Sequence, residues 1–218
     1  MIEFHPDDMD PREVYFLLTA AVVPRPIAWV STISASGQRN LAPHSYYNAC
    51  STNPPIVHFT QSRAKDSIRN VLETGGFVVN VVSDQLGPQM RITAAEFPPE
   101  EDEFVWADLE AADSVVVRPP RVASALIALE CKLRQIVVMG EGRMAFGDVV
   151  HVHVADQVWR DGRIDFSALK PVGRLGASEY ITVADTYRLD LPEKIASVAA
   201  DHRRRFEEGP IGGVRPSP

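Results

Sequence analysis

The chain has 218 residues, of which 45% are hydrophobic and 23% charged, and its formal net charge is −7. Such a composition is ordinary for a soluble globular protein with one core, and the acidic balance argues against a nucleic-acid-binding protein. No apolar run is long enough to span a membrane, the N-terminus lacks the pattern of a secretory signal, and the two cysteines form no CxxC pair, so we expect a cytoplasmic protein.

The first part of the chain predicts several strands around one helix. Segments rich in β-branched and aromatic residues favour strands, and apolar residues at helical spacing before Gly75 favour a short helix that ends there. In chain order we predict a strand at residues 27–34, a returning segment at 39–47, a strand at 56–60, a helix at 66–73 and a doubly buried strand at 77–82.

The second part continues without a regular strand-helix alternation. We predict short helices and loops at 84–113, two long strands at 122–138 and 144–154, a hairpin with an Asp-Gly tip at 158–164, a helix at 191–208 and a flexible tail at 209–218. Successive strands with few helices indicate a mainly β protein, an antiparallel barrel rather than a parallel α/β sheet.

Residues 61–70 are the first candidate for chemistry, because they follow a predicted strand and open the predicted helix. A helix N-terminus offers unpaired N–H groups and positive partial charge, which stabilise an anion. Ser62, Arg63, Lys65 and Ser67 add hydroxyl donors and positive charge. The alternative is a plain helix start, with Asp66 or Ser67 as the capping residue.

Residues 40–49 are the second candidate, since they are small and polar where a strand would normally continue to alternate. Small residues let a flat ring approach backbone N–H and C=O groups, and a flavin requires such contacts along its pyrimidine edge. The alternative is an irregular edge strand with a proline kink.

Six motifs, in this order and spacing, resemble the flavin-reductase-like FMN-binding split-barrel proteins, which include flavin reductases and flavoredoxins. They are RPIAWVST at 25–32, NLAPHS at 40–45, NPPIV at 53–57, KDSIRN at 65–70, FVVNV at 77–81 and KPVGRLG at 170–176 with Tyr180. A set of ordered motifs is far more specific than any one of them.

The resemblance implies a six-stranded antiparallel split β-barrel that forms a homodimer, with one flavin per subunit near the dimer interface. It assigns residues 10–190 to the FMN-binding domain and leaves 191–218 as a C-terminal helix and tail. The phosphate would be held by Ser62, Arg63, Lys65 and Ser67. The ribityl chain and ring would be lined by Ser31, Thr32, Ala42, Pro43, His44 and Ser45. Arg174 and Tyr180 would approach the flavin, from the same or the partner subunit.

His44 departs from the family pattern, in which an aromatic residue such as Phe often occupies this position. A histidine there either forms a hydrogen bond with flavin or substrate or fills the same space, and we favour the second interpretation.

A metal site is not expected. His151 and His153 lie two apart on a predicted strand and therefore share a face, as metal ligands would. However, no further histidine with a carboxylate stands out in the sequence to complete a site, and paired histidines on a strand usually lie at a surface or in a packed face. Motifs for a Rossmann dehydrogenase, an ATPase and an α/β-hydrolase are missing from the sequence.

The resulting hypothesis is an NAD(P)H:flavin oxidoreductase that uses FMN, with FAD also possible, and takes hydride from NADH or NADPH. No side-chain acid or base is obligatory for that transfer, so no catalytic residue is assigned. Reduced flavin or its electrons would then pass to a partner such as a flavin-dependent monooxygenase. Two alternatives remain open: an FMN-bound electron carrier that NAD(P)H does not reduce, and a small barrel that binds no flavin.

Overall fold

A computed structural model, which describes residues 1–63, 65–193 and 195, places one seven-stranded antiparallel sheet at the centre of the fold. The helices are α1 (Pro11–Ala21), α2 (Asp66–Thr74), α3 (Gly87–Ile92), α4 (Glu103–Trp106) and α5 (Phe166–Leu169), with 3-10 turns at Pro6–Asp8, Asp84–Leu86 and Asp156–Val158. The strands are β1 (Arg25–Pro26), β2 (Ala28–Ile33), β3 (Arg39–His44), β4 (Tyr47–Thr52), β5 (Pro55–Ser62), β6 (Gly76–Val81), β7 (Ala111–Ala112), β8 (Arg121–Val122), β9 (Ile127–Met139), β10 (Gly142–Val154), β11 (Trp159–Arg160), β12 (Arg163–Ile164), β13 (Val172–Arg174) and β14 (Tyr180–Thr182).

The main sheet has the strand order β3-β2-β6-β9-β10-β5-β4 and curls back on itself. Its two edge strands, β3 and β4, are consecutive in the chain, and His44 at the end of β3 packs on Phe59 of β5 with ring centroids 4.8 Å apart. Within the described residues no strand is bonded to the outer edge of β3, so the barrel is open along that line. The prediction of a mainly β antiparallel protein with short helices is therefore confirmed.

The strand count differs from the prediction, because the main sheet contains seven strands and not six. The additional strand is β4, which the sequence analysis treated as part of an irregular segment. It is an edge strand bonded only to β5, and most of its residues are exposed. An exposed edge needs no row of β-branched side chains, so β4 carries the small and polar residues that normally indicate a loop.

Several predicted elements appear near their expected bounds. Helix α2 ends at Gly75, whose φ of 71° is the left-handed conformation that glycine adopts without strain. Strand β6 is buried on both faces, as its apolar run predicts. The hairpin β11–β12 turns at Asp161 and Gly162, both with positive φ.

Two hydrophobic clusters cover the two faces of the central strands. The barrel interior contains Phe59, Phe77 and Cys131 and is closed by Ile68 of α2. The opposite face of β2 carries Trp29 into a second cluster, formed with residues of the 84–122 segment. The short helices predicted at 84–113 therefore serve as an outer layer that buries the second face of the sheet.

Helix α1 was not predicted, although the sequence contains a clear signal for its N-terminus. The Asp10 carboxylate accepts the N–H of Arg12, and the Glu13 carboxylate accepts the N–H of Asp10, which is a complete capping box with Pro11 at the first helical position. Among the described residues no helix is both long and apolar enough to cross a bilayer.

Residues Met1–Ala184 form one compact unit. The chain described after it, at 185–193, has almost no regular secondary structure. The predicted helix at 191–208 and tail at 209–218 fall almost wholly outside the described residues, and the domain boundary at residue 190 stays a prediction.

Candidate functional site

A cleft of about 590 Å³ opens where the free edge of β3 meets the N-terminus of α2. This volume lies in the range of small-molecule and cofactor sites. Seven of the predicted site residues line it together: Ala42, Pro43, His44, Ser45, Ser62, Lys65 and Ser67. The two candidate segments, 40–49 and 61–70, are thus opposite walls of one cleft.

The N-terminus of α2 is open toward this cleft. Its N-cap residue is Lys65, in an extended conformation, and the Lys65 side chain makes no capping hydrogen bond, so the interpretation of Asp66 or Ser67 as the cap is wrong. Gln61 Oε1 accepts the N–H of Ile68 at 3.2 Å. Within the described chain no acceptor is bonded to the N–H of Asp66 or Ser67, which leaves two donors at the positive end of the helix dipole.

Lys65 supplies the positive charge at this end of the cleft. Its ammonium is bonded to the carboxylate of Glu96, and the Lys65 side chain is 47% exposed while that of Glu96 is 85% exposed. This hydrogen bond and charge lower the pKa of Glu96. Because the pair is exposed, it is weak and an incoming anion can exchange with Glu96.

A buried polar group forms the floor of the cleft between its two walls. Ser67 Oγ accepts from Asn40 Nδ2 at 3.2 Å and lies 3.4 Å from His44 Nε2. Burial, and then the positive charge of Lys65, lower the pKa of His44 from 6.5 to about 4. The ring is therefore neutral near pH 7, and its packing on Phe59 agrees with the interpretation that His44 fills an aromatic position.

Five predicted site residues do not line the cleft. Ser31 donates its hydroxyl to the carbonyl of Pro120, and Thr32 Oγ1 accepts from Asn70 Nδ2 at 3.1 Å, and both residues are fully buried. Arg63 is exposed, beside Ala64, which lies outside the described residues. The remaining two are a cross-strand pair on β13 and β14, with the guanidinium of Arg174 4.6 Å from the ring centre of Tyr180.

Sequence reasoning also missed part of the lining. The additional residues include Tyr15 on α1, Thr93 and Glu96 after α3, Glu103 on α4, and Glu141 in the β9–β10 turn. The 93–103 group comes from the outer layer of short helices, whose position over β3 is a long-range tertiary fact. The helix that carries Tyr15 could have been predicted, because the capping box of α1 is a local sequence signal.

Glu103 is the most perturbed of these additional groups. Its carboxylate accepts the N–H of Leu41 at 3.0 Å and is buried. Burial raises the pKa of Glu103 to about 6, although hydrogen bonds from the backbone N–H groups of Glu103 and Leu41 act in the opposite direction. Asp66, Glu96 and Glu141 also line the cleft, so Lys65 places its positive charge among several carboxylates.

Arg25, next to the cleft, holds three elements at fixed positions. Its guanidinium donates to the carbonyls of Val22 at 2.9 Å and Leu175 at 2.7 Å, and its Nε lies 3.4 Å from Ser45 Oγ. Buried arginine thus ties the end of α1 and the end of β13 to the wall of the cleft.

A second polar cluster lies outside the cleft, on strands β9 and β10. Glu130 is the cross-strand partner of His151, and its Oε1 is 2.7 Å from Nε2 of His153. The sequence analysis therefore missed a carboxylate that lies beside these two histidines. The pairing follows from the hairpin between the two strands. Gly142 pairs with Met139, and nine residues further along each strand His151 pairs with Glu130.

Comparison with known proteins gives a consistent result. The flavin reductase like domain matches residues 20–166. Nitrilotriacetate monooxygenase component B from Bacillus cereus is 33% identical, with a TM-score of 0.85 over 87% of this chain and 98% of that one. The 2-nitrobenzoate 2-nitroreductase NbaA from Pseudomonas fluorescens is 29% identical, with a TM-score of 0.82 over 88% of this chain and 97% of that one.

The fold itself also has a counterpart at lower identity. A flavin reductase with a split barrel domain from Shewanella frigidimarina superposes with a TM-score of 0.79 at 22% identity, covering 88% of this chain and all of that one. The open barrel described above is therefore a split barrel.

Proposed function

The chain belongs to the flavin reductase like domain family, and from this premise we propose that it is an FMN-binding NAD(P)H:flavin reductase that uses the cleft between β3 and α2. Family membership makes it a flavin-related oxidoreductase. The observation that carries the finer proposal is the open N-terminus of α2, with Lys65 beside it, facing the small residues at the edge of β3.

The phosphate of FMN fits the α2 end of the cleft. The free N–H groups of Asp66 and Ser67 would donate to its oxygens, and the hydroxyls of Ser62 and Ser67 and the ammonium of Lys65 would complete the shell. Arg63 would contribute charge from the rim. Lys65 would exchange Glu96 for the phosphate, which is the stronger partner because it carries more charge.

The isoalloxazine ring fits the opposite wall, where Ala42, Pro43 and Ser45 leave room for a flat group. His44 is uncharged and supports this wall from the barrel side. Ser31 and Thr32 would act from beneath, because their hydrogen bonds fix β2 and hence the strand β3 paired to it. We propose FMN as the ligand, with FAD as the alternative.

The chemistry of the site would come from the cofactor. When bound, FMN accepts a hydride from NADH or NADPH and passes the electrons on. The residues of this chain bind the phosphate, orient the ring and exclude water from one of its faces. No side-chain acid or base is required for hydride transfer, so we assign no catalytic residue.

A homodimer is part of the proposal. Helix α1 carries large apolar side chains that are 38–53% exposed, which is typical of a surface covered by another protein. These side chains are Tyr15, Phe16, Leu17 and Leu18, and Tyr15 also lines the cleft. Arg174 and Tyr180 do not line the cleft of their own chain, and we propose that they approach the flavin of a partner subunit. Light scattering that finds a monomer at micromolar concentration would contradict this part of the proposal.

The electron acceptor is proposed from the resemblance to nitrilotriacetate monooxygenase component B. Reduced flavin or its electrons would pass to a partner monooxygenase in the cytoplasm. The likeness to a 2-nitrobenzoate 2-nitroreductase makes a nitroaromatic compound the second acceptor to test.

The test is an anaerobic titration of the FMN-loaded protein with NADH and then with NADPH. We expect rapid loss of the oxidised-flavin absorbance with one or both donors, and the faster donor is the preferred one. Flavin that binds but stays oxidised would instead identify an electron carrier with another reductant. Protein that binds no flavin would overturn the whole proposal.

A further inference from the structure

The cluster of Glu130, His151 and His153 has the composition of a metal site. His151 and His153 lie on the same face of β10, and Glu130 faces them from β9. The ligand atoms of the three residues all lie within 4.8 Å of one another. Two imidazoles and one carboxylate form a donor set that suits divalent transition metals.

The carboxylate of this cluster is held in place by the backbone of a neighbouring loop. Glu130 is fully buried, and its Oε1 accepts the N–H of Val115 at 2.7 Å. Its Oε2 accepts those of Val116 at 2.6 Å and Val117 at 3.1 Å. Hydrogen bonds of this kind are the outer shell that orients a metal-binding carboxylate.

The buried carboxylate has both backbone and side-chain partners. Its oxygens accept backbone N–H groups of the 115–117 loop, and Oε1 also lies 2.7 Å from His153 Nε2. A buried carboxylate requires polar or cationic partners. A metal ion shared with His151 and His153 would be such a partner.

The geometry is close to that of an occupied site. Zinc–nitrogen and zinc–oxygen bonds of about 2.1 Å at tetrahedral angles place ligand atoms about 3.4 Å apart. His153 Nε2 and Glu130 Oε1 are closer than this, at 2.7 Å, and no pair in the cluster exceeds 4.8 Å. Rotations of the two half-buried imidazole rings, whose centroids are 4.7 Å apart, can supply the adjustment of about an ångström.

We propose that Glu130, His151 and His153 bind one divalent transition-metal ion, with Zn²⁺ as the probe ion and water in the remaining coordination position. The partly exposed histidines give the ion a route from solvent, while the buried carboxylate anchors it from within. None of the three residues lines the cleft between β3 and α2. The ion would connect the 115–117 loop, through Glu130, to strand β10.

The test is isothermal titration of the full chain with Zn²⁺ at neutral pH, together with the visible spectrum after loading with Co²⁺. We expect one ion per chain and the intense visible bands of four-coordinate cobalt. His151→Ala should weaken binding at least about tenfold, because it removes one of three ligands.

His58→Ala is the matched control, since His58 lies on β5 of the same sheet, outside the cluster, and its loss should leave zinc affinity unchanged. His151→Ala keeps the contact between Glu130 and His153, so it tests the site without breaking that pair. Absence of zinc binding by the native chain, or binding that His151→Ala leaves intact, would overturn the proposal. In that case the contact with His153 and the backbone N–H groups of the 115–117 loop would be the only partners of Glu130 among the described residues.

Discussion

Two histidines of this protein sit in opposite electrostatic surroundings. His44, at the end of β3, is buried beside Lys65 and near the positive end of α2, and its hydrogen-bond partner is the neutral Ser67. His153, on β10, contacts the fully buried carboxylate of Glu130 at 2.7 Å. One surrounding disfavours a positive imidazole, and the other favours a positive partner of any kind.

The difference explains why the two regions suit different ligands. Around His44 the hydrogen bonds are long, at 3.2–3.4 Å, and two backbone N–H groups of α2 have no acceptor within the described chain, which suits the proposed phosphate site. Around His153 three backbone N–H groups donate to the carboxylate of Glu130 at 2.6–3.1 Å, which suits the proposed metal site. The same residue type thus lies in a proposed anion site in one place and in a proposed cation site in the other.

The largest expected effect concerns the pH dependence of stability that arises from His44. Its pKa is about 4 in the fold and 6.5 in the unfolded chain, so the unfolded state binds the additional proton between these values. Stability is therefore complete above pH 6.5 and falls as the pH drops toward 4, by about 3 kcal/mol from this residue. Urea unfolding of the native protein and of His44→Phe across this range measures the difference.

His44→Phe should remove that part of the pH dependence, because phenylalanine keeps the packing on Phe59 and cannot be protonated. Glu103, whose raised pKa has the opposite sign, is present in both proteins and cancels in the comparison. Equal slopes in the two proteins would mean that His44 is not held neutral by its surroundings.

The second effect is on FMN affinity. Lys65→Ala should weaken FMN binding by about 1.5–3 kcal/mol, tenfold or more, because it removes a charge-assisted hydrogen bond to the phosphate. Quenching of FMN fluorescence measures the affinity. Lys132→Ala, at an exposed position on β9, is the control and should leave the affinity unchanged.

The third effect concerns the surroundings of His153, where Glu130 binds the backbone of the 115–117 loop. Glu130→Gln should destabilise the fold by about 1–3 kcal/mol, because the amide –NH₂ cannot accept the backbone N–H bonds and leaves at least one of them unsatisfied. Thermal or urea unfolding measures the loss, and Glu100→Gln, at an exposed position, is the control. A neutral outcome for Glu130→Gln would show that the loop is not held by this carboxylate.

The smallest expected effect is on FMN affinity when Glu96, the ion-pair partner of Lys65, loses its charge. Glu96→Gln removes a charge that competes with phosphate for Lys65, so FMN affinity should rise, by no more than about fivefold because the pair is exposed. The gain should disappear in the Lys65→Ala background. A gain of the same size in that background would mean that Glu96 acts only through the general field of the cleft.

Local patterns were enough to predict much of the architecture. The central strands, helix α2 with its stop at Gly75, and the hairpin at Asp161 and Gly162 follow from side-chain periodicity and turn chemistry. Edge strand β4 could not be found in this way, because an exposed edge has no periodic apolar face. Its small polar residues carry the same signal as a loop.

The candidate site was predicted on two of its walls and missed on the third. The segments of Ala42–Ser45 and Ser62–Ser67 have local signals, namely small residues in a strand and a basic helix start. Glu103 and Thr93 reach the cleft from the outer helical layer, and no local pattern encodes that packing. Likewise, Ser31 and Thr32 have polar side chains, but these side chains form hydrogen bonds with Pro120 and Asn70 inside the protein and do not line the cleft.

The most direct test of the central claim compares the affinities of the native protein for FMN and for riboflavin, which lacks the phosphate. If the α2 end of the cleft recognises the phosphate, FMN should bind at least about tenfold more tightly than riboflavin. Lys65→Ala should reduce this preference while changing riboflavin affinity little. Equal affinities of the native protein for the two ligands would contradict the assignment of Lys65 and the α2 N-terminus as a phosphate site.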